Sequence, residues 1–314
     1  MGTGAEADAA PHFPFGTAPF LPAIILRMGT AAATQQLLHD AVVTRQTDYG
    51  AGYYVMELEC PELAQTIDSG QFVNLRCRNE WTPLLRRPFS VFDVLTDASG
   101  KATGITLLYH TVGAGTRLMA KAQKGDILSL NGPLGKPFQP PANPDAAVIM
   151  VGGGIGIAPF LLQSRRFMQR EPKREYGFIA GGRSERDLRY MKLFTPLVKA
   201  GLSLMLTTDD GTVGLKGLVT LPLRGELAAR AKKGLPTHVY CCGPTRMMQA
   251  VGDVCAEFNV PCAASLESVM ACGYGVCNGC VARVKDAAAT NGFKYVKTCV
   301  NGTIFDAATL IWDD

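Results

Sequence analysis

Four cysteines near the end of the chain, Cys272, Cys277, Cys280 and Cys299, have the types and spacing to hold a redox metal. They read C-x4-C-x2-C and then, after eighteen residues, a fourth. This is the plant-type ligand pattern of a [2Fe–2S] cluster, with three thiolates on one loop and the last arriving from elsewhere. Each iron takes two soft thiolates besides its bridging sulfides, so four cysteines are needed. Gly273, Gly275 and Gly279 allow the loop to fold closely and to aim backbone N–H groups at sulfur. The competing reading is a structural zinc site. Zinc sites favour two short knuckles, whereas here the last ligand stands alone, so the spacing favours iron–sulfur.

Other candidates suit nucleotide cofactors. Arg87-Pro88-Phe89-Ser90 opens a strand, where a guanidinium can pair with a pyrophosphate and a hydroxyl can reach a flavin ring. Its plain alternative is an ordinary edge strand. Leu108-Tyr109-His110 leads into Gly113, Gly115 and Thr116 at the start of a short helical pattern, which offers free N–H groups to a phosphate or, more simply, an N-cap. Gly152-Gly153-Gly154-Ile155-Gly156 follows a continuous apolar run, as a dinucleotide cradle would. It departs from strict G-x-G-x-x-G, and no acidic residue is cleanly placed about 20 positions on. Cys242-Gly243-Pro244 closes another apolar strand, and Cys242 is the one catalytic candidate, with a buried free thiol as the alternative. The four histidines show no metal spacing, and no Ser/His/Asp or paired-carboxylate set supports hydrolysis.

The elements that must position these residues divide the chain. Residues 1–35 are Ala-, Gly- and Pro-rich without a period and read as a disordered extension, with Met28 as an alternative start. Residues 36–143 read as short strands at 42–44, 53–58, 70–76, 89–94 and 105–110, the pattern of an antiparallel barrel. Residues 144–260 alternate buried strands (146–151, 176–180, 202–207, 238–242) with helices, which predicts a parallel sheet covered on both faces. Residues 261–314 carry the cysteines as a small third domain. A content of 47% hydrophobic and 18% charged residues is that of a packed protein. A net charge of +4 spread along 314 residues gives no reason to expect nucleic acid. No run nears the roughly 18 apolar residues of a membrane span, and no basic region precedes an apolar segment as in a signal peptide. Ten cysteines in a chain of this size, four in one motif and the rest in apolar stretches, read as thiols in a reducing compartment, the cytoplasm.

In combination these motifs resemble the ferredoxin-reductase superfamily and, within it, the iron–sulfur electron-transfer subunits of class 1B dihydroorotate dehydrogenases. The likeness covers residues 38–314 and rests on Gly70-Gln71-Phe72-Val73, Arg87 to Ser90, Gly115-Thr116, the glycine run from Gly152, Gly181-Gly182-Arg183, Thr208-Asp209-Asp210-Gly211, Cys242-Gly243-Pro244, and Ser265-Leu266-Glu267 ahead of Met270-Ala271-Cys272-Gly273. It implies an FAD-binding barrel, an NAD-binding α/β domain and a C-terminal [2Fe–2S] domain. It implies that Arg87, Pro88, Phe89, Ser90, Leu108, Tyr109, His110, Gly115 and Thr116 hold FAD. Gly152, Gly153, Gly154, Gly156, Gly182, Arg183, Asp209, Gly243 and Pro244 would serve NAD, and the four cysteines the cluster. His110 stands where the family more often has Arg, and the gap before Cys299 predicts an extra loop at 285–293. The implied function is a relay in pyrimidine biosynthesis. An FMN-containing catalytic subunit, two copies with two of this chain, oxidises dihydroorotate, and electrons pass through the cluster and FAD to NAD+. The alternative is the flavin subunit of an NADH-dependent ferredoxin:NADP+ oxidoreductase or of a sulfide dehydrogenase.

Overall fold

The computed structural model describes Met1 and residues 38–77 and 83–312. The extension expected over 1–35 and the polar stretch 78–82 therefore lie outside the described residues. Strands β1 (Leu38–Gly50), β2 (Tyr53–Glu59), β3 (Phe72–Leu75), β4 (Arg87–Ser90), β5 (Asp93–Thr96), β6 (Ala102–His110) and β7 (Ile127–Leu134) form one antiparallel sheet in the order β4-β3-β7-β1-β2-β6-β5. Helices α1 (Pro61–Thr66) and α2 (Ala114–Met119) are its short insertions.

The sequence predicts a single strand over 89–94. The structure breaks it at Val91–Phe92, and the two halves, β4 and β5, lie at opposite ends of the sheet. Val91 N–H still reaches Gln71 O beside β3, while Phe92 N–H bonds Thr106 O on β6. The sheet therefore curls into a half-barrel around this pair. Both residues are fully buried and apolar, so the break carries no turn signal that a periodicity reading can find. Strand β7 was also missed, because Gly132-Pro133 inside it reads as a turn.

The second sheet runs β11-β10-β9-β8-β12-β13-β16. Strands β8 (Ala147–Gly153), β9 (Tyr176–Gly182), β10 (Ser203–Thr208), β11 (Leu215–Lys216), β12 (Thr237–Cys242) and β13 (Cys262–Ser265) are parallel, and β16 (Ile304–Asp306) closes the edge antiparallel. Helices α3 (Phe160–Arg170), α4 (Thr195–Lys199), α5 (Thr220–Lys232) and α6 (Thr245–Glu257) connect the strands. Strand β8 is buried at every position, as a central strand covered on both faces must be. The chain leaves β8 toward β9 on one side and returns to β12 on the other. The glycine run after β8 and Cys242-Gly243-Pro244 after β12 thus face each other at the switch point, where α/β sheets bind ligands.

This sheet continues past residue 260 through β13 and β16. Between them come the cysteine loop, the hairpin β14 (Val281–Lys285) and β15 (Phe293–Lys297), and α7 (Thr298–Asn301). The stretch 285–293 is the hairpin connection. Strand β17 (Leu310–Ile311) pairs with β14 to complete a three-stranded sheet.

One hydrophobic core joins the two large sheets. Alternation along β6 sends Ile105, Leu107 and Tyr109 into the half-barrel, whereas Leu108 points the other way and packs with Phe92 and Phe138 against Met150, Phe160 and Phe178. Close packing of this shared core holds the two sheets at a set separation.

Candidate functional site

The loop after β13 presents Cys272, Cys277 and Cys280, and α7 brings in Cys299. Gly273 and Gly275 have φ of +83° and +90°. A Cβ on Gly275 would stand 2.5 Å from Val300 Cγ2, so the loop closes only with glycine there. Lys297 Nζ donates to Gly275 O at 2.9 Å, and Thr298 N–H and Oγ1 donate to Cys280 O at 2.7 and 3.0 Å.

The four sulfurs fall into two pairs. Cys280 Sγ lies 3.1 Å from Cys299 Sγ, and Cys272 Sγ accepts the Cys277 N–H at 3.5 Å and contacts the Cys277 thiol. A tetrahedral zinc site with Zn–S near 2.3 Å would set every pair of sulfurs roughly 3.8 Å apart. Among the described residues, the only three potential ligand atoms mutually within 4.8 Å belong to His39, Cys60 and Glu62, not to these cysteines. Two pairs fit two irons, so the residues present suit a [2Fe–2S] group better than one zinc. The environment favours thiolate at Cys272 and Cys280 but not at Cys299. Burial alone would raise the Cys272 thiol, but N–H groups of Cys277, Tyr274 and Val276 bring it down to about 6. Burial and then Cys280 push Cys299 up to about 12, while Cys280 is held low by its bonds from Cys299 against its own burial.

One cleft opens beside this loop, and a second adjoins the first. The larger, of about 630 Å³, collects Arg87, Pro88, Phe89, Ser90, Leu108, Tyr109, His110, Gly115 and Thr116, with Gly243 and Pro244 from the second sheet. Arg87 faces this cleft, its Nη1 donating to Leu85 O at 2.7 Å. Its neighbour Arg86 instead ties the start of β4 to β7 through Ser129 O and Oγ at 2.7 and 2.9 Å. Gly115 sits so close that a Cβ would lie 2.9 Å from Cys77 Sγ. Thr116 Oγ1 takes the N–H groups of Val112 and Gly113, closing the turn ahead of α2.

The second cleft, of about 420 Å³, holds Gly153, Gly154, Gly182, Arg183, Asp209 and Pro244. Pro244 is common to both clefts, so they meet at the switch point. Arg183 faces Asp187 at 3.6 Å. Gly152, Gly156 and Cys242 line neither cleft. Gly152 packs on Ile157 and Phe160, and Gly156 packs on the Cys242–Gly243 backbone. Cys242 is 3% exposed, and burial, followed by the charge of Glu267, pushes its thiol well up. It is a protonated thiol behind the wall.

Sequence reasoning missed several lining residues. Tyr53 on β2 enters the smaller cleft and stacks on His110 of the larger, with ring centroids 4.3 Å apart. Arg246 and Met247 from α6 line the smaller cleft. Phe72, Glu267 and Met270, quoted in the sequence motifs but given no role as site residues, line the larger one, and desolvation there raises the Glu267 carboxyl. Their positions depend on long-range crossings that leave no local signal.

The cysteines and the larger cleft share a wall. Phe72 and Met270, both cleft-lining, form one buried cluster with Leu134, Cys280 and Cys299. A single layer of side chains therefore separates the Cys280–Cys299 pair from the cleft.

Residues 150–253 match the oxidoreductase NAD-binding domain family, and residues 267–311 match the iron–sulfur cluster binding domain of dihydroorotate dehydrogenase B. The dihydroorotate dehydrogenase B (NAD+) electron transfer subunit of Desulforamulus reducens is 33% identical over 263 residues, which cover 83% of this chain and 93% of the relative. Among solved structures, an NADH-dependent reduced ferredoxin-NADP oxidoreductase superposes with a TM-score of 0.71 at 25% identity, over 91% of this chain and 92% of its own. A ferredoxin NADP+ reductase from Neisseria gonorrhoeae shares the fold at a TM-score of 0.57 and 18% identity, over 71% of this chain and 92% of its own. Half-barrel, parallel sheet and C-terminal cysteine domain occur here in the expected order, and with a third of the residues identical along nearly the whole of the Desulforamulus relative, the chain belongs to the family of dihydroorotate dehydrogenase B (NAD+) electron transfer subunits.

Proposed function

We propose that this chain carries electrons between a catalytic subunit that oxidises dihydroorotate and NAD+, using a [2Fe–2S] cluster, FAD and a bound nicotinamide dinucleotide. The observation that carries this reading is the shared wall: the Cys280–Cys299 pair is one side-chain layer from the larger cleft, which itself meets the smaller cleft at Pro244. When bound, the cluster handles single electrons, and FAD exchanges them for the hydride that the nicotinamide takes.

Every other contribution comes from the chain. The two cysteine pairs would hold the irons, and Lys297 and Thr298 brace their loop. Arg87, with the N–H groups at the start of α2, would hold the pyrophosphate of an FAD in this cleft, which Ser90, Leu108 and Tyr109 also line. Gly153 and Gly154 let the dinucleotide backbone approach, while Arg183 and Asp209 face its ribose end. Phe72, Met270 and Leu134 pack against the Cys280–Cys299 pair and would keep water from the path between a cluster there and a flavin in the larger cleft. Cys242, a buried neutral thiol, supports the backbone of Gly243 and Pro244 from behind rather than taking a proton.

Arg87→Ala should weaken FAD retention about tenfold or more, since a charge-assisted bond to a phosphate is worth roughly 1.5–3 kcal/mol. Flavin content after dialysis measures this, and a full complement would make Arg87 structural.

The partner is an FMN-containing dihydroorotate oxidase, two copies joining two of this chain, in the cytoplasm. Its docking face is the apolar rim of the cysteine loop, where Val269, Tyr274 and Val276 are 89%, 51% and 72% exposed. Alone, the chain should oxidise NADH with an artificial acceptor but leave dihydroorotate untouched. Adding the catalytic subunit should create dihydroorotate:NAD+ activity, and Tyr274→Asp should cut it at least about tenfold while sparing NADH–dye activity. Dihydroorotate turnover by the isolated chain, or no stimulation by the cognate catalytic subunit, would overturn the assignment.

A further inference from the structure

We infer that Asn74 is a positioning residue that sets the cluster loop against the flavin half-barrel and thereby tunes the cluster's reduction potential. The inference rests on the cluster assigned above. Asn74 lies in the middle of β3, a strand paired on one side to β4 and on the other to β7, so its backbone is held from both sides. Its side chain is wholly buried and leaves the half-barrel to meet a loop nearly two hundred residues away. Nδ2 donates to Ala271 O at 3.3 Å and to Cys272 O at 3.1 Å. Gly273, at positive φ, comes so close that a Cβ would stand 3.0 Å from the same Nδ2. Phe72, two residues away on the same face of the strand, packs against the Cys280–Cys299 pair. One short strand therefore holds both halves of the cysteine set.

The other end of the amide makes the case specific. Oδ1 is buried and has no hydrogen-bond partner. Leaving such an acceptor unpaired destabilises the fold, so an amide here is a poor choice for stability alone. Only its donor half is used, and both donor bonds go to carbonyls of the first cluster ligand and the residue before it.

Holding those carbonyls against Asn74 fixes the start of the loop relative to the half-barrel. From the other end of the same loop the Cys277 N–H reaches back to Cys272 Sγ at 3.5 Å. Hydrogen bonds to cluster sulfur stabilise the reduced, more negative state and raise its potential. Removing the donor should free the start of the loop, lengthen that N–H···S contact and lower the potential.

The test uses the full chain, purified anaerobically, with the cluster potential read by EPR-monitored redox titration. Leu has the branched skeleton of Asn without a donor, Ala removes the amide altogether, and Ser is close to Ala in size but keeps a donor. Asn74→Leu and Asn74→Ala should shift the equilibrium toward the oxidised cluster about tenfold, or ~59 mV for a one-electron couple. Asn74→Ser should recover part of the shift. FAD content checks that the half-barrel is folded, and Ala and Ser preserve the comparison should Leu fail to fold. If Asn74 only filled space, Ser would shift as far as Ala and Leu least. That order, or donorless variants within twofold of wild type, would overturn the inference. A wild-type protein with no [2Fe–2S] signal would instead overturn the cluster assignment, and the inference with it.

Discussion

Replacing Cys277 with alanine is expected to abolish the visible absorption of the [2Fe–2S] centre while leaving FAD in place. Cys277 and Cys272 form one of the two sulfur pairs, so its loss leaves one iron with a single thiolate. The remaining pair, Cys280 and Cys299, cannot hold a two-iron core alone. Flavin should stay, because Arg87 to Ser90 and the start of α2 line their cleft without Cys277. Iron analysis and the visible spectrum of the variant, beside total flavin, measure both halves of the expectation. One zinc and no iron in the anaerobically purified wild type would defeat it.

Gly156→Ala should be the most damaging glycine substitution in the nucleotide cradle. A Cβ there would lie 2.4 Å from Gly243 Cα and 2.5 Å from Cys242 O, which is backbone against backbone and cannot relax by turning a side chain. Overpacking of this kind costs about 3 kcal/mol. Spread over a domain of this size, that corresponds to a fall in Tm of roughly 6–12 °C. The same push displaces Gly243 and with it Pro244, which lines both clefts, so NADH affinity should fall as well. Gly154→Ala is the control. Its φ is +55° with nothing within 4 Å of the added methyl, so it should cost only about 1–2 kcal/mol of backbone strain. Thermal unfolding of the two variants decides the order, and a Gly156→Ala protein as stable as wild type would refute the close approach.

The same two motifs show why some of the site was legible in advance. Cys272, Cys277 and Cys280 lie within nine positions, and a metal loop of that size must draw its ligands from near neighbours, so spacing alone named the group. The glycine run after β8 and Cys242-Gly243-Pro244 after β12 were visible because each follows a continuous apolar run, the mark of a central parallel strand. Which of those glycines line a cleft was not visible. Gly153 and Gly154 do, whereas Gly152 and Gly156 face inward, because the short helical turn after β8 rotates successive residues to different sides. The break between β4 and β5 was hidden for a related reason: Val91 and Phe92 are buried at the seam of the half-barrel, and a buried corner needs no polar turn residues.

By itself the amino-acid sequence determined the kind of chemistry, since soft ligands at metal spacing and glycines after apolar strands are local requirements met by adjacent residues. It also determined the order of the three folding patterns, because periodicity is local. Only the tertiary structure decided the distances between them. The pairing of Cys280 with Cys299, the layer of Phe72 and Met270 beside it, the clamp of Asn74 on the carbonyls of Ala271 and Cys272, and the entry of Tyr53 into a cleft of the other sheet all join residues far apart in the chain. Such contacts arise from how two sheets share one core, and that packing is a property of the whole chain that no short window of residues can carry.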